Sequence, residues 1–166
     1  MEKDSNEGDE LKHLGSGTPR LPKAYAPDLL EAFSNPHPQK EAWTSLICPE
    51  FTSVCPKTGW PDFAKVFINY MAAQRMVESK SLKLYLGSFR HHGAFHEDCI
   101  QTICNDLRVL LTPRFIEVRG EFNPRGGIAI TSYASWALDE ERYQKLCDHR
   151  RQNYDPLGSS DLGSMV

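Results

Sequence analysis

The chain has 166 residues, about the length of one domain, and its 40% hydrophobic and 25% charged residues suit a folded globular protein, not a disordered or collagenous one. With 19 Lys and Arg against 22 Asp and Glu, the net charge of -3 supplies no cationic face for a nucleic-acid backbone. No apolar run approaches the roughly 18 residues of a membrane-spanning helix, which points to a protein off the membrane.

Residues 1–27 carry charge, Gly and Pro without a sustained apolar period and are expected to form a flexible arm. Glu2, Asp4, Glu7, Asp9 and Glu10 lack an apolar stretch behind them, unlike a secretory signal. A single domain is expected over 28–154, with a flexible Gly- and Ser-rich tail over 155–166. A short extended piece fits Leu46 to Val54. From Phe63 to Tyr70, Ala64, Val66, Ile68 and Tyr70 alternate with Lys65, Phe67 and Asn69, the period of a strand with one buried face.

The period then becomes helical. Leu82, Tyr85, Leu86 and Phe89 fall at i, i+3, i+4 and i+7, and Gly93 after His91 and His92 is expected to cap this helix in a left-handed conformation. A second helix carries Ile100, Ile103, Cys104, Leu107, Leu110 and Leu111 on one stripe, closed by Pro113. Alternation returns at Ile116, Val118, Gly120 and Phe122, and again at Ile128 and Ile130, across the turn-forming segment Asn123 to Gly127. A polar, helix-prone extension runs from Asp139 to Tyr154. The expected fold is α+β: a four-stranded antiparallel sheet, ordered strand, strand, helix, helix, strand, strand, with two helices on one face. Two edges and the other face are left open, which oligomerisation would protect.

Cys48, Cys55, Cys99, Cys104 and Cys147 make an odd number without paired motif spacing, as expected in a reducing, cytoplasmic compartment. Cys55 sits in a Pro- and Gly-punctuated loop that runs into a strand, a place where a thiolate nucleophile is displayed, with Lys57 near enough to favour it. Asp62, at the strand entrance, is a candidate proton donor or base. The same residues also read as a small buried hydrophobe and a turn-capping carboxylate. Between the helices, His91, His92, His96 and Cys99 match no closed tetrahedral zinc spacing, so no metal site is assigned. Glu97 and Asp98 suit the first turn of a helix, and a carboxylate there can also accept two parallel N–H donors from a nitrogen-rich heterocycle. Lys80 and Lys83 share a helix face where a phosphate is held near an N-terminus, or where charge is simply solvated. Arg125 and the glycines beside it suit either an anion or a hairpin turn.

Taken together, the segments Cys55 to Phe63, Glu78 to Tyr85, Phe95 to Asp98 and Phe122 to Gly127 resemble the short, single-module 7-cyano-7-deazaguanine reductases (QueF) of queuosine biosynthesis, over about residues 45–135. The resemblance implies the tunnelling fold shared with GTP cyclohydrolase I, assembled into rings, with two five-membered rings pairing into a decamer. It implies that Cys55 attacks the nitrile of 7-cyano-7-deazaguanine to form a thioimide, that Asp62 delivers a proton and that NADPH is the hydride donor. His96 would take part beside them. Val77, Glu78, Ser79, His96 and Glu97 would contact the substrate, and Lys80, Lys83, Arg125 and Gly126 the NADPH. No Gly-x-Gly-x-x-Gly motif follows a strand, so a Rossmann-type nicotinamide site is not expected. Trp60 departs from the family pattern, which has a smaller or polar residue there, often Gln. Three alternatives share the fold: an amidine-forming thioimide enzyme, a metal-dependent cyclohydrolase and a non-catalytic purine-binding ring. Cys48 is also a candidate disulfide partner for Cys55.

Overall fold

A computed structural model describes residues 22–155; most of the expected arm and nearly all of the tail, 1–21 and 156–166, lie outside the described residues. The elements in chain order are β1 (Ala32–Ser34), β2 (Trp43–Val54), β3 (Pro61–Met71), β4 (Arg75–Val77), α1 (Ser79–Ser88), α2 (His96–Leu111), β5 (Phe115–Arg125), β6 (Ile128–Ala137) and α3 (Glu141–Gln152). Strands β2, β3, β5 and β6 form one antiparallel sheet in the order β2-β3-β5-β6, leaving β2 and β6 as its edges. β1 and β4 pair separately, through Ala32 to Val77 and Ser34 to Arg75; their three-residue length is too short for a periodicity to show.

The alternation in β3 holds residue for residue. Ala64, Val66, Ile68 and Tyr70 are buried against α1 and α2, together with Ile116, Val118 and Phe122 of β5 and the stripe Ile100, Ile103, Cys104, Leu107 and Leu111 of α2. Gly120 lies between these layers, where a Cβ would sit 2.4 Å from Ile100 Cδ1. Its missing side chain is what lets α2 lie close on the sheet.

Two expectations are corrected. Gly93 does not cap α1 in a left-handed conformation: the positive-φ glycines among the described residues are Gly59, Gly126 and Gly127. The chain leaves α1 through a short 3-10 turn at Phe89–His91, then runs extended along the end of β2, where Val54 N–H donates to His92 O and Ala94 N–H to Val54 O. The left-handed cap belongs to α2, at Thr112 with φ 41°, just before Pro113. The second correction concerns the far face of the sheet, which α3 covers in part. Tyr143 and Cys147 of α3 form a second small core with Met71, Phe115 and Ala137. Beside it, Arg150 grips the buried Glu117 carboxylate, which also accepts bonds from Asn69 and Tyr133. Burial alone would push the Glu117 carboxyl up, but these partners together hold it below its ordinary value.

Candidate active site

Cys55 directly follows β2, and the turn that joins β2 to β3 is closed by bonds from Cys55 N–H to Trp60 O at 2.8 Å and from Gly59 N–H to Cys55 O at 2.9 Å. Gly59, at φ 69°, takes the left-handed conformation this turn needs. The turn gathers donors around sulfur. The Thr58 hydroxyl, then the backbone N–H groups of Lys57 and Thr58, and to a smaller degree the Arg125 guanidinium lower the Cys55 thiol to about 7, against a smaller opposing effect of burial. Lys57 thus acts on the sulfur through its backbone N–H. Burial drives three of the other thiols the opposite way, Cys48 upward, Cys99 to about 11 and Cys104 to about 12.

Asp62 pairs with Ser53 across the β2–β3 ladder, and its place in the β3 alternation turns its side chain to the core side, leaving the residue 3% exposed. A buried carboxylate needs partners, and two reach it. His96, the first residue of α2, places Nε2 3.2 Å from Asp62 Oδ2. Arg125, at the end of β5, bonds Asp62 Oδ1. The imidazole lies flat on Phe122, with ring centroids 4.0 Å apart. His96 Nδ1 is buried and finds no partner among the described residues, so Nε2 carries the hydrogen that Asp62 accepts. The Cys55 thiol, the Asp62 carboxylate and the His96 imidazole therefore come from the β2–β3 turn, β3 and α2, with Arg125 touching both Cys55 and Asp62.

The segment Val77 to Lys83 is not brought to this cluster. Val77 reaches the Tyr70 phenol through its backbone, and Glu78 N–H donates to Glu31 O, both at the end of the sheet opposite Asp62. Tyr70 lies eight positions along the strand from Asp62, on the order of 25 Å. The Glu78 carboxylate caps α1, accepting from Lys80 N–H at 2.8 Å and Ser81 N–H at 2.7 Å. These N–H groups are therefore occupied by the protein's own anion. Ser79 and Lys83 line a cavity of about 380 Å³ between β2 and α1 that also includes Cys48 and Arg90. Glu97, in the first turn of α2, is exposed beside His96.

Cys48 lies opposite Val66 and Ser53 opposite Asp62, so Cys48 and Cys55 are separated by on the order of 20 Å of extended strand. A disulfide needs Cα atoms within about 7 Å, which removes this pairing within one chain. His91 is exposed, His92 stacks on Tyr25 and His96 faces Asp62. Among the described residues no group of three His, Cys, Asp or Glu is placed to hold a metal ion.

The chain is 59% identical over 143 residues to the NADPH-dependent 7-cyano-7-deazaguanine reductase of Bdellovibrio bacteriovorus, covering 86% of this chain and 84% of that protein. The enzyme of the same name from Bacillus mycoides is 53% identical over 142 residues, covering 86% of each. Residues 61–141 match the family described as QueF-like protein. The chain belongs to the QueF-like family. A crystal structure of an apo archaeosine synthase of QueF-like type superposes with a TM-score of 0.55 at 17% identity, covering 61% of this chain and 99% of that one. That likeness supports the tunnelling fold alone. Membership of the QueF-like family agrees with a fold whose β2–β3 turn presents a low-pKa thiol beside a buried acid.

Two contributors to this site are not assigned to it by the sequence. Thr58 carries no motif of its own, although a hydroxyl three residues beyond a cysteine in such a turn is well placed to face its sulfur. Arg125, expected at the NADPH, lies 63 positions along the chain from the Asp62 it bonds. The β3–β5 register held the signal: Ala64 opposite Phe122 carries the ladder on to the hairpin tip beside Asp62.

Proposed function

We propose that this chain reduces the nitrile of 7-cyano-7-deazaguanine to the primary amine with two NADPH, through a thioimide on Cys55. The observation that carries the reading is a thiol lowered to about 7 beside a buried, doubly partnered carboxylate, in a chain 59% identical to a reductase of that name. A nitrile is a poor electrophile, so thiolate addition coupled to protonation of nitrogen divides a hard reduction into easier steps. The Cys55 sulfur bonds the nitrile carbon, one π bond opens, and Asp62 passes the proton to nitrogen. His96 holds the Asp62 carboxylate through Nε2–H. Two hydrides, each with one proton, then complete the change: the first reduces the thioimide, loss of the Cys55 thiol gives an imine, and the second reduces the imine to the amine. Water must stay out while the thioimide persists, because hydrolysis would compete.

In this reading Glu97 accepts N–H donors from the guanine-like edge, while Lys80 and Lys83 face the NADPH phosphates. Gly126, at the hairpin tip with open space where a Cβ would be, offers its backbone there. Because Val77, Glu78 and Ser79 lie at the far end of the sheet from Cys55, these segments meet only if a second copy supplies one of them. We infer a ring-shaped homo-oligomer, a decamer of two pentamers, that works in the cytoplasm. Its support is the pair of sheet edges at β2 and β6 and the exposed Trp43, Ile47, Phe63 and Ile128.

The test mixes purified protein with 7-cyano-7-deazaguanine and NADPH, following NADPH absorbance and product mass, with Cys55→Ala as control. Two NADPH consumed per aminomethyl product, and none in the control, is the expected result. A Cys55 adduct that leaves NADPH untouched and yields amidine with ammonia would replace the reductase reading with the amidine-forming one.

A further inference from the structure

The hairpin tip between β5 and β6 could have turned Arg125 toward solvent, where a phosphate would meet it. Its guanidinium instead folds inward. It bonds Asp62 Oδ1 on one side and reaches the Cys55 sulfur on the other, while His96 takes the remaining Asp62 oxygen. The fork shape of a guanidinium suits it to two anionic partners at once. We propose that Arg125 is a catalytic residue of the thioimide-forming step, aligning the Cys55 sulfur and the Asp62 carboxylate before NADPH is bound. This rests on the reductase reading above and adds to it a role for Arg125 in the half of the reaction that uses no hydride.

In that step the S–H bond breaks, a C–S bond forms, one C–N π bond opens and the thiol hydrogen ends on nitrogen by way of Asp62. No electrons enter or leave. Arg125 lends no atom. It fixes the carboxylate that must first take a proton from sulfur and then give it to nitrogen, and its positive charge favours the anionic sulfur in between. The groups facing this pair are Thr58 and the Lys57 N–H from the turn, His96 and Cys99 from α2, and Arg125 from β5. Arg125 keeps its positive charge throughout the working pH range.

The experiment follows adduct formation without NADPH, by intact mass and absorbance, in wild type, Arg125→Met and Arg125→Lys, with thermal melts to confirm folding. The Arg125 side chain is 41% exposed and His96 remains as a partner for Asp62, so both variants are expected to fold. The expected result is adduct formation slowed about tenfold or more in the Met variant and partly recovered in the Lys variant, which keeps the charge but not the fork. A Met variant that forms adduct at the wild-type rate and is defective only in its KM for NADPH would overturn the proposal. Iodoacetamide alkylation of Cys55 across pH gives a second readout that needs no nitrile. Loss of Arg125 should move its midpoint upward and slow alkylation at pH 6.5 by about twofold to fivefold; an unmoved midpoint would count against contact with the sulfur. If wild-type protein forms no adduct at all, the reductase reading fails, and the alkylation midpoint alone then decides whether Arg125 acts on Cys55.

Discussion

A thiol at the end of a strand becomes a nucleophile only if it loses its proton near neutral pH, and at Cys55 the largest contribution to that loss is one hydroxyl. Thr58→Val removes the donor while keeping the side-chain shape, so the alkylation midpoint of Cys55, about pH 7 in the wild type, should rise by about one unit or more. Because the thiolate is the reactive form, the rate at pH 7 should fall several-fold and recover as pH is raised. A Val variant with an unchanged midpoint would show that the backbone N–H groups suffice. The residues to watch were legible at this scale, Cys55 and Asp62 from their place at a strand entrance. What lowers the thiol was not, because it depends on the direction of one hydroxyl and two N–H groups in a turn whose conformation the sequence leaves open.

At the scale of elements, close approach and burial decide. Gly120→Ala would drive a methyl into Ile100, at 2.4 Å from Cδ1 and 2.8 Å from Cγ1, and should cost about 1–3 kcal/mol in urea unfolding. Ile100→Val in the same chain should return part of that loss by removing Cδ1. The α3 helix depends on Glu117 in a different way. Glu117→Gln breaks a buried, bidentate partner of Arg150 and should cost about 1–3 kcal/mol, since Arg150 itself is half exposed. The Glu117 carboxyl is held below its ordinary value when folded, so its stabilisation is present above the unfolded pKa and is lost as pH falls through the folded one. Thermal melts of wild type and Glu117→Gln should therefore differ by a constant amount above about pH 5 and converge on acidification. The central strands and both core helices were legible because their faces are one-sided. The β1–β4 pair, the exit path at Gly93 and the seat of α3 were not, because short strands and polar helices are placed by tertiary contacts.

The whole molecule raises a question of completeness, since one chain holds Cys55, Asp62, His96 and Arg125 at one end of its sheet and Val77 to Ser79 at the other. If two copies share each site, two variants with different defects should restore each other. On the function proposed above, Cys55→Ala lacks the nucleophile and Lys80→Glu with Lys83→Glu repels the NADPH phosphates, so each assembly alone is expected to be inactive. Co-expressed and purified together, they should regain up to about a quarter of wild-type activity, because that fraction of shared sites would draw one intact half from each kind of chain. Sites built within a single chain would regain nothing, since every chain then carries its own defect. Mixing the two assemblies after folding, without subunit exchange, separates the cases further: recovery only on co-expression places the complementation inside one assembly, where a surface between subunits completes the site.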